Sequence, residues 1–261
     1  MNTLKFGNGE WYGKKDTILA YNDENSNFKP LPFSFDRASS ATRVNKDGLI
    51  ETVGSGEPRI DFLGNTKGAL LLEPQSTNLV TYSEDFSNAA WTGGGITISG
   101  GYLAPDGSDN AYKVSSSGGV FNGDFGLIES TTRSIYARTV SGAGKISLLS
   151  YFGNSNNLFD ITEEWQRFEI STSIGTGTNS FYAVDFRSLS ATLSEVIIWG
   201  ANATNDQSYA TSYIPTSGGV VTRVADACSN GGNEQVINST EGVLYAEISA
   251  LDNDNTSRRI S

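Results

Sequence analysis

Asp160, Glu163 and Glu164 crowd the five residues before Trp165, and they are the first candidates for acid–base chemistry in a chain with no histidine. Histidine is the commonest general base and the commonest transition-metal ligand, so its absence leaves hydrolysis to paired carboxylates. A glycosidase needs two of them, about 5 to 9.5 Å apart across a cleft. The Asp160–Gln166 stretch shows no such pair and reads as a solvated turn. The second chemistry on offer is stacking. Glycan recognition uses exposed aromatic faces beside polar groups, and the candidates are Trp91, Phe121, Phe125, Tyr151, Phe152 and Trp165. Trp91 and Trp199 lie in alternating contexts and read as core. Tyr151-Phe152-Gly153-Asn154 has loop character. The candidate glycan-contact set is therefore Tyr151, Phe152, Asn154 and Trp165, against the alternative of core or subunit packing. Gly93-Gly94-Gly95 and Ser117-Gly118-Gly119 precede no Lys-Ser/Thr and no helix, so they are turns and not phosphate loops.

Elements able to position such residues must come from 261 residues, room for two domains and part of a third. Cys228 is the only cysteine, so no intramolecular disulfide is available; it reads as a small buried hydrophobe. Packing, sheet hydrogen bonds or assembly must hold the fold. The formal charge is −11, made of −1 over residues 1–75, −7 over 76–226 and −3 over 227–261. No segment is basic, which argues against nucleic acid, and an acidic surface is repelled by anionic membranes. No apolar run approaches the roughly 20 residues that span a bilayer. Met1-Asn2-Thr3-Leu4-Lys5 opens no signal peptide, so synthesis in a cytoplasm is expected.

Apolar residues alternate with polar ones almost throughout, which predicts an all-β chain with little helix. Asn8-Gly9 and Asp47-Gly48 each sit between β-formers and predict hairpins. Thr17–Tyr21, Arg59–Phe62 and Gly68–Glu73 read as short strands of a small N-terminal hairpin module over residues 1–75. From Asn78 the rhythm becomes strand, turn, strand. Predicted strands cover Gly95–Ser99, Gly101–Leu103, Ala111–Ser115, Arg133–Thr139, Lys145–Tyr151, Gln166–Thr172, Ser180–Arg187 and Leu193–Ala201. Eight strands over 76–226 suit a jelly-roll β-sandwich. Residues 227–261 then read as a Gly/Asn linker followed by strands at Glu241–Ala250 and Ser257–Ser261.

Arg37-Ala38-Ser39-Ser40-Ala41-Thr42-Arg43-Val44-Asn45, then Asp47-Gly48-Leu49-Ile50-Glu51 and Leu71-Leu72-Glu73-Pro74-Gln75-Ser76-Thr77-Asn78-Leu79, resembles a module of head and tail fibre proteins in tailed bacteriophages. Tyr82-Ser83-Glu84-Asp85-Phe86-Ser87-Asn88-Ala89-Ala90-Trp91, with the run from Ala104 to Val114, resembles the opening of a carbohydrate-binding-module-like jelly roll. The sequence after Glu241 is similar to the start of a concanavalin-A-like lectin domain. The resemblance implies a virion structural protein, not an enzyme, whose residues 1–75 dock on other virion proteins or form a homotrimer. It also implies contact with cell-surface glycans. The alternative is the glycan-binding module of a secreted polysaccharide-active enzyme; a third reading is a depolymerase fibre with catalysis elsewhere. Related sandwiches hold a structural calcium on carboxylate and backbone oxygens. Glu84, Asp106, Asp109 and Glu195 would supply it here, unless Asp106-Gly107 and Asp109-Asn110 merely make turns.

Overall fold

Glycine and small polar residues punctuate each apolar run, so the chain builds short strands joined by turns. The computed structural model is all-β, with no helix among the described residues. It describes residues 4–5, 11–14, 17–22, 27–30, 34–128, 130–154, 156–171, 180–205 and 207–229, with backbone alone before residue 31. The Asn8-Gly9 turn and the strands expected at Glu241–Ala250 and Ser257–Ser261 lie outside these. The chain divides into two compact units, one made of residues 1–48, 52–74 and 224–261, the other of 49–51 and 75–223.

In the first unit the Thr17–Asn22 strand pairs antiparallel with Leu4–Lys5, Trp11–Lys14 and Asn27–Pro30. Arg59–Asp61 pairs with Ala69–Leu71. Gly48 takes φ +80° and donates to the Asn45 carbonyl at 3.1 Å, which closes the Asp47-Gly48 turn. Ala227–Ser229, read from sequence as linker, lies antiparallel to Ser34–Asp36. Cys228 is thereby exposed rather than buried, because its strand forms only a two-stranded ribbon. Beneath the ribbon lies a buried ion cluster. Arg37 donates to Asp226 at 2.9 Å and to the Gly54 carbonyl at 2.7 Å. Arg59 donates to Glu73 at 2.7 Å and also to Asp226. Two guanidinium groups thus face two carboxylates, and removing one member of such a set costs about 3–5 kcal/mol.

The second unit is a sandwich of two five-stranded antiparallel sheets. The first runs in the order Trp91–Gly94, Val120–Asp124, Phe181–Asp185, Gly144–Leu148, Leu158–Ile161. The second runs Thr97–Tyr102, Ala111–Ser115, Glu195–Thr204, Thr132–Arg138, Gln166–Ile170. Ser76–Asn78 and Val221–Arg223 pair with each other, so the entry and exit of this unit run side by side. Ile146, Leu148, Tyr182 and Val184 of the first sheet meet Val114, Ile135, Val196 and Ile198 of the second in one core. Trp91 anchors its end, stacked on Phe121 at 5.4 Å and packed against Phe86, Phe125 and Tyr182. Each fully buried side chain of this size contributes about 1.5–3 kcal/mol.

One glycine decides which way the longest strand faces. Val196 and Ile198 point into the core, then Ala201 and Ala203 do. That phase slip requires an extra residue between them, and Gly200 supplies it at φ +68°. Trp199, next to inward-facing Ile198, faces away from the inter-sheet core, and the bulge after it returns Ala201 and Ala203 to that core.

Candidate functional site

Alternation in the Phe181–Asp185 strand sends Tyr182 and Val184 inward and therefore Phe181, Ala183 and Asp185 to the outer surface of the first sheet. There the chain leaving Gly144–Leu148 folds over them. Leu149 takes φ +74°, a left-handed conformation that costs a leucine about 1–2 kcal/mol. Its carbonyl accepts from Nη1 of Arg133 at 2.9 Å, and the Phe181 carbonyl accepts from the same nitrogen at 2.7 Å. Arg133 belongs to the second sheet, so a fully buried guanidinium reaches through the sandwich to pin the base of this loop. Burial pushes its pKa down to about 10. The loop then closes a turn in which Asn154 donates its backbone N–H to the Tyr151 carbonyl at 2.9 Å.

The turn sets Tyr151 flat on Phe181, centroids 5.2 Å apart and planes 18° from parallel. The Arg187 guanidinium lies over both neighbouring rings, 5.0 Å from the Tyr151 centroid and 5.4 Å from that of Phe152. Asp185, fully buried, holds this arrangement. Its Oδ2 accepts from the Phe152 backbone at 3.0 Å and from Arg187 Nη2 at 2.6 Å. Its Oδ1 accepts from Arg187 Nε at 2.9 Å and from the Arg187 backbone at 3.0 Å. Burial pushes the Asp185 carboxyl up, but the Arg187 pair and the two backbone donors outweigh it and hold the group below its ordinary value. Arg187 Nη1 makes no hydrogen bond among the described residues. Phe152 is 45% exposed and the Arg187 side chain 38%. The result is a solvent-facing ring beside a fixed cationic donor, on a loop anchored from beneath.

Tyr151, Phe152 and Asn154 thus come together, but Trp165 does not join them. Leu158–Ile161 ends in the first sheet and Gln166–Ile170 begins in the second, so the turn carrying Trp165 crosses between sheets. Trp165 stacks under Arg138 at 5.3 Å and donates to the Leu103 carbonyl at 3.3 Å. It lies on the outer surface of the second sheet, with a further aromatic group. Trp199 packs against Tyr136 at 5.6 Å and Tyr213 at 4.7 Å, and Arg167 lies over Tyr136 at 5.6 Å. This group is sealed: Ile197 and Trp199 are each 1% exposed. Trp199 donates to Asn110 at 2.7 Å, Asn110 to Glu84 at 3.0 Å, and Tyr213 to Glu84 at 2.8 Å. Burial, with Asp106 nearby, raises the Glu84 carboxyl above its ordinary value despite these donors.

Of the carboxylates considered for calcium, Glu84 and Asp106 are near neighbours, whereas Glu195 lies apart. Glu84 is engaged as above, and Asp106 caps its own turn by accepting from Ser108 at 2.9 Å. Asp109 and Glu195 lie toward opposite ends of the Ala111–Ser115 strand, since Glu195 registers with Ser115. At 3.4 Å per residue that separates them by roughly 20 Å. Glu195 pairs instead with Lys113 at 3.2 Å. Among the described residues no group of three or more acidic or thiol side chains gathers as a metal cluster. Asp160 pairs with Lys145 at the surface and Glu163 accepts from the Gly142 backbone, so these carboxylates act locally. Asp185 and Arg187 are the site residues the sequence reading missed; the alternation of Tyr182, Val184 and Phe186 placed Asp185 on the outer surface.

No family model matches the chain, and no curated protein matches it in sequence. Comparison with solved structures gives partial likenesses. The CBM22-1 xylan-binding domain from Paenibacillus barcinonensis Xyn10C is 10% identical, with a TM-score of 0.33, over 49% of this chain and 91% of that one. The family 11 carbohydrate-binding module of the cellulosomal cellulase Lic26A-Cel5E of Clostridium thermocellum is 9% identical, with a TM-score of 0.30, over 50% and 95%. Both are carbohydrate-binding modules. At these identities and scores the likeness carries nothing about ligand.

Proposed function

We propose that residues 75–223 form a non-catalytic glycan-binding module whose contact surface is Tyr151, Phe152 and Arg187. The observation that carries this reading is the pairing of an exposed, loop-borne Phe152 with a guanidinium already fixed by a buried carboxylate. An apolar ring face suits the C–H face of a sugar, and the Nη1 protons left over suit its hydroxyls. Little ordering is left to be done on binding, which favours affinity from a small contact. Affinity electrophoresis in gels containing soluble xylan or mixed-linkage β-glucan tests it. The wild-type chain should be retarded and Phe152→Ala should not. Equal mobility of the two proteins in every gel would reject this surface.

The carrier is a separate proposal. A virion fibre, drawn from the Arg37–Trp91 motifs, would present several copies of this surface, and avidity would then compensate for a weak single site. A polysaccharide-active enzyme would use one copy. Static light scattering separates them: a trimer supports display on a fibre, whereas a strict monomer with tight polysaccharide binding favours the enzyme-borne module.

A further inference from the structure

We infer that Asp185 is the positioning residue of this surface, the group that assembles Tyr151, Phe152 and Arg187 before any ligand arrives; the part concerning ligand rests on the glycan-binding reading. Asp185 touches no solvent, so it cannot itself contact a glycan. Yet its two oxygens take one backbone donor from the loop and one backbone plus two side-chain donors from Arg187. A carboxylate gripping guanidinium through two parallel bonds fixes the plane of the group as well as its position. With Nε and Nη2 committed, the guanidinium is oriented over both rings, and Nη1 alone is turned to a ligand. The loop donor adds a second constraint: Phe152 cannot shift without breaking the bond to the same carboxylate that holds Arg187. Loop and cation are therefore one mechanical piece. The paired ion elsewhere on the sandwich edge, Lys145 with Asp160, has both partners largely exposed and constrains nothing comparable.

Asp185→Asn keeps the size of the side chain and removes its charge, and two measurements follow from it. The first needs no ligand. The Arg187 Nε proton should exchange slowly in wild-type protein by NMR and quickly in Asp185→Asn, with Asp160→Asn as a control that changes nothing there. The second is a double-mutant cycle on gel retardation by soluble mixed-linkage β-glucan. Asp185→Asn should weaken retention about tenfold in the wild-type background and have no further effect in an Arg187→Ala background. Near-UV circular dichroism confirms that each variant is folded. Fast Nε exchange in wild type overturns the inference, as does full retention by Asp185→Asn. An additive loss in the cycle also overturns it, because a merely structural role would act independently of Arg187. Slow exchange lost in Asp185→Asn, with no wild-type retention in any gel, supports the positioning role and rejects only the glycan reading.

Discussion

Both outer surfaces of the sandwich carry arginines stacked on aromatic rings, but only one leaves a ring and a guanidinium exposed together. On the second sheet Tyr136, Trp199 and Tyr213 close over each other, and Trp199 is 1% exposed. On the first sheet Tyr151 and Phe181 form a base from which Phe152 and Arg187 emerge, 45% and 38% exposed. The same residue types serve as a second small core in one place and as a display in the other. Exposure of the groups around the carboxylate sets the difference. Asp185 is buried while its arginine is 38% exposed; Glu84 is half-buried while its aromatic neighbours Trp199 and Tyr213 are buried.

Substitutions should separate the two surfaces, beginning with the largest effect. Trp199→Ala should destabilise the chain by about 3–5 kcal/mol in urea unfolding, through cavity formation and a stranded Asn110, while glycan retention of the folded fraction is unchanged. Trp165→Ala, which loses one hydrogen bond and one cation–π contact, should cost about 1–2 kcal/mol and also leave retention intact. A loss of binding in Trp165→Ala would move the site to the second sheet. Phe152→Ala should change stability by no more than about 0.5 kcal/mol and abolish retention.

Acid titration sharpens the contrast further, with smaller effects of opposite sign. The Asp185 carboxyl is held below its ordinary 3.8, so its contribution is complete above that pH and is lost as pH falls through the lower folded value. The Glu84 carboxyl is raised above its ordinary 4.5, so the folded state is favoured while Glu84 is protonated and loses stability as pH rises from 4.5 through the higher folded value. With rising pH, stability should therefore increase relative to Asp185→Asn in the window below 3.8 and decrease relative to Glu84→Gln in the window above 4.5. Parallel curves for the two variants would contradict the assignment of opposite environments.

The strand at Ala111–Ser115 was readable to the residue, because Ala-Tyr-Lys-Val-Ser alternates and is bounded by turns. Val120–Asp124 was not readable. Gly118, Gly119 and Gly123 look like turn residues, yet Gly123 sits in the strand because any side chain there would collide with the Phe125 ring. Leu158–Ile161 was hidden for a related reason, being a short edge strand behind a polar Asn-rich loop. Tyr151, Phe152 and Asn154 stood out in the sequence because a loop with two adjacent aromatics is unusual. Trp165 was grouped with them as an aromatic able to stack on a sugar, but the turn that carries it crosses to the other sheet. Asp185 takes three donors from Arg187 two residues on, but its loop partner Phe152 lies 33 residues away, and nothing local marks that link.

The ion cluster of the first unit carries a consequence for the order of events at the ribosome. Arg37 is separated from its carboxylate partner Asp226 by 189 residues. At about 5–20 residues per second, that partner is synthesised roughly ten to forty seconds later. Through that interval two arginines destined for a dry interior, Arg37 and Arg59, lack their shared acid, while the sandwich encoded between Arg59 and Asp226 is made. The Arg37–Glu73 segment, made before the sandwich, is thus completed after it, and a nascent chain stopped short of Asp226 should have a finished sandwich and an unfinished first module.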